Sequence, residues 1–125
     1  MEPQANPEGQ GATQEQLIKK AAIVISPKIK RFKHQEVEEI LDSEFPINTP
    51  VTDTQMSSIS LTCSLPDNTQ QHHANILRML ETIWKFNPDI NHQDRFLRTP
   101  LHFAARTGNN TAVDFLLSMG VTGDP

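Results

Sequence analysis

The stretch that decides the fold is residues 89–120, DINHQDRFLRTPLHFAARTGNNTAVDFLLSMG. Thr99 followed by Pro100 is typical of a helix start. The threonine hydroxyl accepts from unpaired helix amides, and proline lacks the amide that would go unsatisfied at the first position. Gly108 fits the left-handed residue that ends such a helix. We therefore predict two short helices, separated at Gly108.

Small and apolar residues in the same stretch predict how the two helices pack. Ala104 and Ala105 are small, so a second antiparallel helix is able to approach closely. Three residues at helical spacing give that second helix an apolar face: Val113, Leu116 and Leu117. The stretch is therefore predicted to be a helix–turn–helix unit with a buried side.

Residues 89–120 resemble an ankyrin repeat over almost the whole of that family's unit of about 33 residues. The signature TPLH-x-A is present as Thr99, Pro100, Leu101, His102 and Ala104. The resemblance implies an all-α fold, an ankyrin-repeat helical solenoid of helix–turn–helix units with hairpin loops. It also implies that His102 makes local hydrogen bonds that steady the first helix.

A weaker copy of the unit is predicted at residues 46–88. Ile-Asn at 47–48 repeats Ile-Asn at 90–91, and SSISLTC at 57–63 stands where residues 99–105 stand later. The copy has no TPLH. Its apolar stretch fits a short helix or a strand when it is taken alone.

The second helix of the weaker copy is predicted at residues 75–86, after an inserted polar loop at 65–73. Five apolar residues of this helix share one side: Ile76, Leu77, Leu80, Ile83 and Trp84. Asn87, Pro88 and Asp89 then end it. This inserted loop departs from the family pattern.

Residues 13–45 are predicted to be a degenerate N-terminal capping repeat, so that the chain holds two to three repeats. Its first helix shows apolar residues at helical spacing: Leu17, Ala21 and Val24. Pro27 is expected to end that helix after Ser26. A second helix is expected at residues 35–41.

Both ends of the chain are expected to lie outside the repeats. Residues 1–12 have no large apolar residue after Met1 and are expected to be a disordered tail. Residues 121–125 look like the start of a further hairpin or a tail. The last helix pair is expected to leave Leu117 and Met119 bare unless further repeats or an assembly cover them, so we expect a fragment of a longer array or a subunit of an assembly.

The composition argues against several classes of protein. Apolar residues make up only 36% of the chain, and the net charge of −4 disfavours indiscriminate binding to nucleic acid. The single cysteine, Cys63, fits a reducing compartment, and the N-terminus does not resemble a secretory signal. A cytoplasmic or nuclear protein is expected.

No complete catalytic or metal-binding constellation is apparent, so we expect neither an enzyme nor a cofactor or metal. His72 and His73 with Asp67 nearby lack the spacing of a closed metal site, and a solvated polar loop is the expected setting. Cys63 stands at the place of Ala105 and is expected to be a small core residue.

The resemblance implies a protein-binding module or scaffold without chemistry of its own. It places the contact positions on the hairpin and the first helix: Gln93, Arg95, Phe96, Arg98, Arg106 and Thr107. Three arginines beside a phenylalanine suit an acidic or aromatic-bearing protein partner, although they fit solvated charges equally well. Leu97 departs from the pattern, because the family usually has glycine there.

Two alternatives remain open at this point. A basic cluster favours nucleic-acid binding or nuclear import: Lys28, Lys30, Arg31 and Lys33. The acidic residues at 36–39 follow it directly and argue against that function. The other alternative is an accessory, non-catalytic subunit of a large complex.

Overall fold

The computed structural model describes residues 13–120, which form six α-helices and no β-strand within that range. The helices are α1 (Gln14–Lys30), α2 (His34–Asp42), α3 (Ser58–Cys63), α4 (Gln70–Trp84), α5 (Pro100–Thr107) and α6 (Asn110–Ser118). The expected disordered tail at 1–12 and the expected hairpin or tail at 121–125 lie outside the described residues.

The six helices form three stacked pairs. Helix α1 packs on α2, α3 on α4, and α5 on α6. The first helices of the pairs stack in the order α1, α3, α5, and the second helices in the order α2, α4, α6. This arrangement is a helical solenoid, which confirms the predicted all-α class.

Left-handed backbone residues recur at matching points of the pairs. Residues with positive φ follow the first helices at Phe32 and Gly108, and they follow the second helices at Glu44, Asn87 and Gly120. Two more lie in the hairpins, Gln55 and Leu97. Few residues other than glycine adopt a positive φ without strain. All three pairs share the left-handed residue after the second helix, and the other two positions recur in two pairs each, although only the last pair carries the TPLH sequence.

Helix α1 extends beyond its predicted end. The helix continues through Pro27 to Lys30, and its buried residues are Ala22, Ile25 and Ile29. A proline inside a helix costs about 3 kcal/mol, whereas burying an isoleucine contributes roughly 1.5–3 kcal/mol. The end at Ser26 was therefore wrong, because the extra turn places Ile29 fully in the core.

The inserted segment between α3 and α4 is shorter than predicted. Helix α4 begins at Gln70, five residues before its predicted start, because the Thr69 side chain caps it by accepting from the His72 amide at 3.1 Å. Residues 57–63 form a cap and a short helix, which excludes the strand alternative.

Asn109 joins the second pair to the third. Its side chain is fully buried, and Nδ2 donates to the carbonyl oxygens of Thr62, Cys63 and Leu65 at 3.2–3.3 Å. Its Oδ1 accepts from the Ala112 amide at 3.0 Å and so caps α6. One side chain thus satisfies the end of α3 and the start of α6 together.

Cys63 is a buried core residue, as predicted, and burial raises the pKa of its thiol. Ala105, its counterpart in the third pair, is exposed. The difference follows from the stack, because α5 covers α3.

Candidate protein-binding surface

Asp94 organises the tip of the hairpin that precedes α5. Its buried carboxylate accepts from the amides of Phe96 and Arg98 through Oδ1, at 2.9 and 2.8 Å. The Asp94 and Arg98 main chains also pair, with the Asp94 amide 3.0 Å from the Arg98 carbonyl oxygen. The turn is therefore fixed by hydrogen bonds within five residues.

Arg98 completes this network and supports the aromatic residues. Its Nε and Nη2 donate to Oδ2 of Asp94 at 2.8 and 2.7 Å. Its guanidinium lies 5.0 Å from the ring centroid of Phe96 and 4.7 Å from that of Phe103. Burial alone would raise the pKa of Asp94, but the hydrogen bonds from Arg98 and the amides outweigh it and lower that pKa.

The result is a fixed tip that presents apolar side chains to solvent. Phe96 is 60% exposed and Leu97 is 67% exposed. Leu97 has φ 64°, so the turn keeps the left-handed geometry even though the residue is not glycine. Arg95 beside them is exposed, and its amide donates to the Thr54 carbonyl oxygen at 2.7 Å.

The hairpin that precedes α3 has the same turn and lies beside the hairpin that precedes α5. Thr52 takes the place of Asp94, since its Oγ1 accepts from the Met56 amide at 3.0 Å, and Gln55 has φ 70°. His92 Nε2 lies 2.9 Å from the Gln55 carbonyl oxygen and ties the two hairpins together.

Of the six predicted contact residues, Arg98 is half-buried and the other five are exposed: Gln93, Arg95, Phe96, Arg106 and Thr107. Arg98 is bound to Asp94, and the Thr107 hydroxyl donates to the carbonyl oxygens of Phe103 at 2.8 Å and Cys63 at 3.2 Å. These last two side chains therefore support the surface.

Arg106 lies apart from the hairpin tip along α5. It is six residues beyond Pro100, which corresponds to about 9 Å of helix rise. The surface therefore consists of a tip and a more distant basic position.

Two residues of the tip were absent from the predicted contact set. They are Asp94, which fixes the turn, and Leu97, which was noted only as a departure from the family pattern. Two features of the sequence could have indicated this tip: the spacing of four residues between Asp94 and Arg98, and the preference of aspartate for turns.

The signature residues of the third pair adopt the expected local structure. Thr99 caps α5, and Nδ1 of His102 accepts from the Thr99 amide at 3.0 Å, so this histidine makes a local hydrogen bond at the start of the helix. Pro100 and Ala104 are buried and Leu101 is half-buried. Gly108 ends α5 with φ 72°.

The histidine pair is not in a solvated loop, so that expectation was wrong. His72 and His73 lie in the first turn of α4, and the His72 ring packs at 5.9 Å against Phe32. His73 pairs with Asp67, whose Oδ2 accepts from the Thr111 amide at 3.0 Å. Burial would raise the pKa of Asp67, but these bonds lower it.

Within residues 13–120, no three His, Cys, Asp or Glu side chains form a group able to hold a metal ion. None of the helices in this part of the chain is long and apolar enough to cross a membrane. In the basic cluster, Lys28 pairs with Glu36, and this contact lowers the pKa of Glu36. The side chains of Lys30, Arg31 and Lys33 are exposed.

The stacked helix pairs define a helical-repeat protein. Residues 85–122, which include the whole third pair, match the family model described as ankyrin repeats (many copies), so this segment is an ankyrin repeat. Ankyrin-repeat domains are generally protein–protein interaction modules and are typically non-catalytic. No sequence among curated proteins matches the chain.

Proposed function

We propose that this chain is a protein-interaction scaffold without chemistry of its own, and that its hairpin tip contacts the partner. The observation that carries the proposal is the exposed pair Phe96 and Leu97 on a turn fixed by Asp94 and Arg98. Binding costs less when the contact residues are already ordered. Aromatic residues on such a support are frequent anchors of interfaces.

The partner is proposed to be an acidic protein. Arg95 is exposed beside the apolar tip, and Arg106 is exposed farther along α5. Arg98 is proposed to hold the Phe96 ring in place, because its guanidinium is bound to Asp94. Two N–H groups of the guanidinium donate to Oδ2 of Asp94, and these charge-assisted hydrogen bonds hold the guanidinium against the ring.

A covered apolar face is the second part of the proposal. Leu117 is 50% exposed and Met119 is 40% exposed, and Ala105 of α5 is exposed as well. We propose that further repeats or an assembly cover this face of the third pair, in the cytoplasm or the nucleus. An accessory, non-catalytic subunit of a complex would satisfy the same observations.

We also propose the boundaries of the repeats. Residues 13–45 act as a degenerate capping repeat, 46–88 as a divergent repeat and 89–120 as a full repeat. The recurring left-handed residues support this division. Nucleic-acid binding through residues 28–33 is less well supported, because Lys28 is paired with Glu36.

The test compares a tip variant with a matched control. We expect Arg95→Ala/Phe96→Ala/Arg106→Ala to weaken capture of native partners by ~30-fold or more, which corresponds to about 2 kcal/mol. The control, Leu77→Ala/Arg78→Ala, removes an exposed apolar residue and an arginine from α4. Circular dichroism verifies that both variants are folded. Equal capture by wild type and tip variant would place the binding surface elsewhere.

A further inference from the structure

Helix α1 carries a second apolar stripe that the stack does not bury. Leu17 is 55% exposed, Val24 is 47% exposed, and Ala21 between them is half-buried. The three residues are spaced by four and then three positions. This is the heptad spacing of a seam between two helices.

The stripe lies on a different side of α1 from the core residues. At about 100° per residue, Leu17 and Val24 are roughly 110° around the helix from the buried Ala22, Ile25 and Ile29. Packing on α2 and α3 uses the buried side. Leu17 and Val24 therefore form an additional exposed face, and Ala21 lies where this face meets the core.

Two exposed basic residues, Lys20 and Arg31, border this stripe, whereas Lys19 pairs with Glu15 and Lys28 with Glu36. Residues 14–33 contain six of the eleven basic residues of the chain and a single acidic residue, Glu15, although the whole chain has a net charge of −4. Lys20 is one residue before Ala21, and Arg31 follows Val24 by one heptad; both are exposed. A molecule bound along the stripe therefore lies next to basic residues, which favours a binding partner with acidic side chains.

The shape of the stripe favours a helix over a lipid surface. An interfacial helix presents a wide apolar face to the membrane. On α1, Gln16, Lys20 and Pro27 lie opposite the core and separate the stripe from the exposed Ile23, so the stripe itself is narrow and lies to one side. The first twelve residues of the chain have no large apolar residue after Met1 that would complete the seam.

We propose that the stripe formed by Leu17, Ala21 and Val24 is a docking site for an acidic amphipathic helix of another protein. The apolar residues of that helix pack along the stripe, and its glutamate or aspartate side chains face Lys20 and Arg31. This site is separate from the hairpin tip and does not use any residue of the scaffold function proposed above.

The experiment uses the full chain and a displayed library of 20-residue peptides with apolar heptad positions and all other positions randomised. Peptides are selected on the wild type and then tested on Leu17→Ser/Val24→Ser. The matched control is Ile23→Ser, which removes a residue that is 73% exposed on another side of the same helix. Thermal melting establishes that all variants are folded.

We expect the selected peptides to be rich in glutamate and aspartate beside the apolar positions. Their affinity should fall at least tenfold with Leu17→Ser/Val24→Ser and with Lys20→Glu/Arg31→Glu, and stay unchanged with Ile23→Ser and with the hairpin-tip variant. Selection of peptides without acidic enrichment, or peptides that bind the stripe variant equally well, would overturn the proposal.

Two further measurements test whether the stripe binds a lipid surface or a second copy of the chain instead of an acidic helix. Binding to phosphatidylserine-containing vesicles that is lost in Leu17→Ser/Val24→Ser would identify a lipid surface and overturn the proposal. Sedimentation that shows dimers of the wild type, but monomers of this variant, would identify a second copy of the chain and overturn it as well. We expect neither.

Discussion

Leu97 occupies the left-handed position of the third hairpin with φ 64°. This conformation costs a residue with a Cβ roughly 1–2 kcal/mol relative to its usual backbone. The side chain is 67% exposed, so burial does not compensate for the strain. The hydrogen bonds of Asp94 hold the turn in place instead. Strain that packing does not offset is typical of a contact surface.

Replacing Leu97 tests this interpretation of the tip. Leu97→Gly relieves the backbone strain. Leu97→Ala also removes the exposed leucine side chain but keeps a Cβ, and so keeps the backbone strain. We expect the glycine variant to be more stable than the alanine variant by about 0.5–1 kcal/mol, after allowing for the greater freedom of glycine in the unfolded chain. Urea denaturation measures the difference. Equal stability, or a more stable alanine variant, would exclude backbone strain at this position.

The sequence predicted those site residues whose partners are close in the chain. His102 bonds to Thr99 three residues away, so a local pattern was sufficient. Asp67 bonds to Thr111 across 44 residues, and no local pattern indicates such a contact. For the same reason, the surroundings of the histidine pair required the structure.

At the scale of secondary structure, one side chain links α3 to α6. Helix α3 is only six residues long, and isolated helices of that length are unstable in water. The Asn109 side chain donates to three carbonyl oxygens at the C-terminal end of α3, and it also caps the start of α6. The short helix therefore depends on the following pair as well as on its own apolar contacts.

Asn109→Ala should be among the most destabilising polar substitutions in the chain. It leaves three carbonyl groups without this donor and removes a helix cap, so we expect a loss of about 3 kcal/mol or more. The neighbouring Asn110→Ala, at an exposed position, is the control and should change the free energy of unfolding by less than about 0.5 kcal/mol. Similar losses in the two variants would refute the role given to Asn109.

The helices themselves were predicted better than their ends. Apolar spacing located α2 within one residue, because its sides differ clearly in polarity. Helix α1 has apolar residues on two sides, so spacing alone did not distinguish the buried set with Ile25 from the exposed set with Val24. Which side is buried depends on α2 and α3, and that information is not local.

The whole molecule is a short stack with apolar residues left on its last pair. Leu117 and Met119 are 50% and 40% exposed. Ala105 is exposed where its counterpart Cys63 is fully covered. Helix-pair repeats bury their faces against neighbours, so a repeat without one loses part of its stabilisation.

The purified 125-residue chain should consequently be marginally stable or self-associate. Analytical ultracentrifugation over a range of concentrations and a thermal melt measure the two properties. If association occurs, Leu117→Ser/Met119→Ser should shift the chain toward monomer. A strictly monomeric wild type that melts sharply above ~65 °C, beyond the common mesophile range, would contradict the proposal of a covered face.

Photo-crosslinking at the hairpin tip tests the central claim most directly. A benzoylphenylalanine residue replaces Phe96 in one protein and Leu77, exposed on α4, in another. Both are irradiated in an extract of the source organism, and crosslinked proteins are identified by mass spectrometry. We expect a protein that crosslinks from position 96 and not from position 77, and that is rich in acidic residues at the crosslinked site. Crosslinking from position 77 alone would show that the chain binds its partner through another surface.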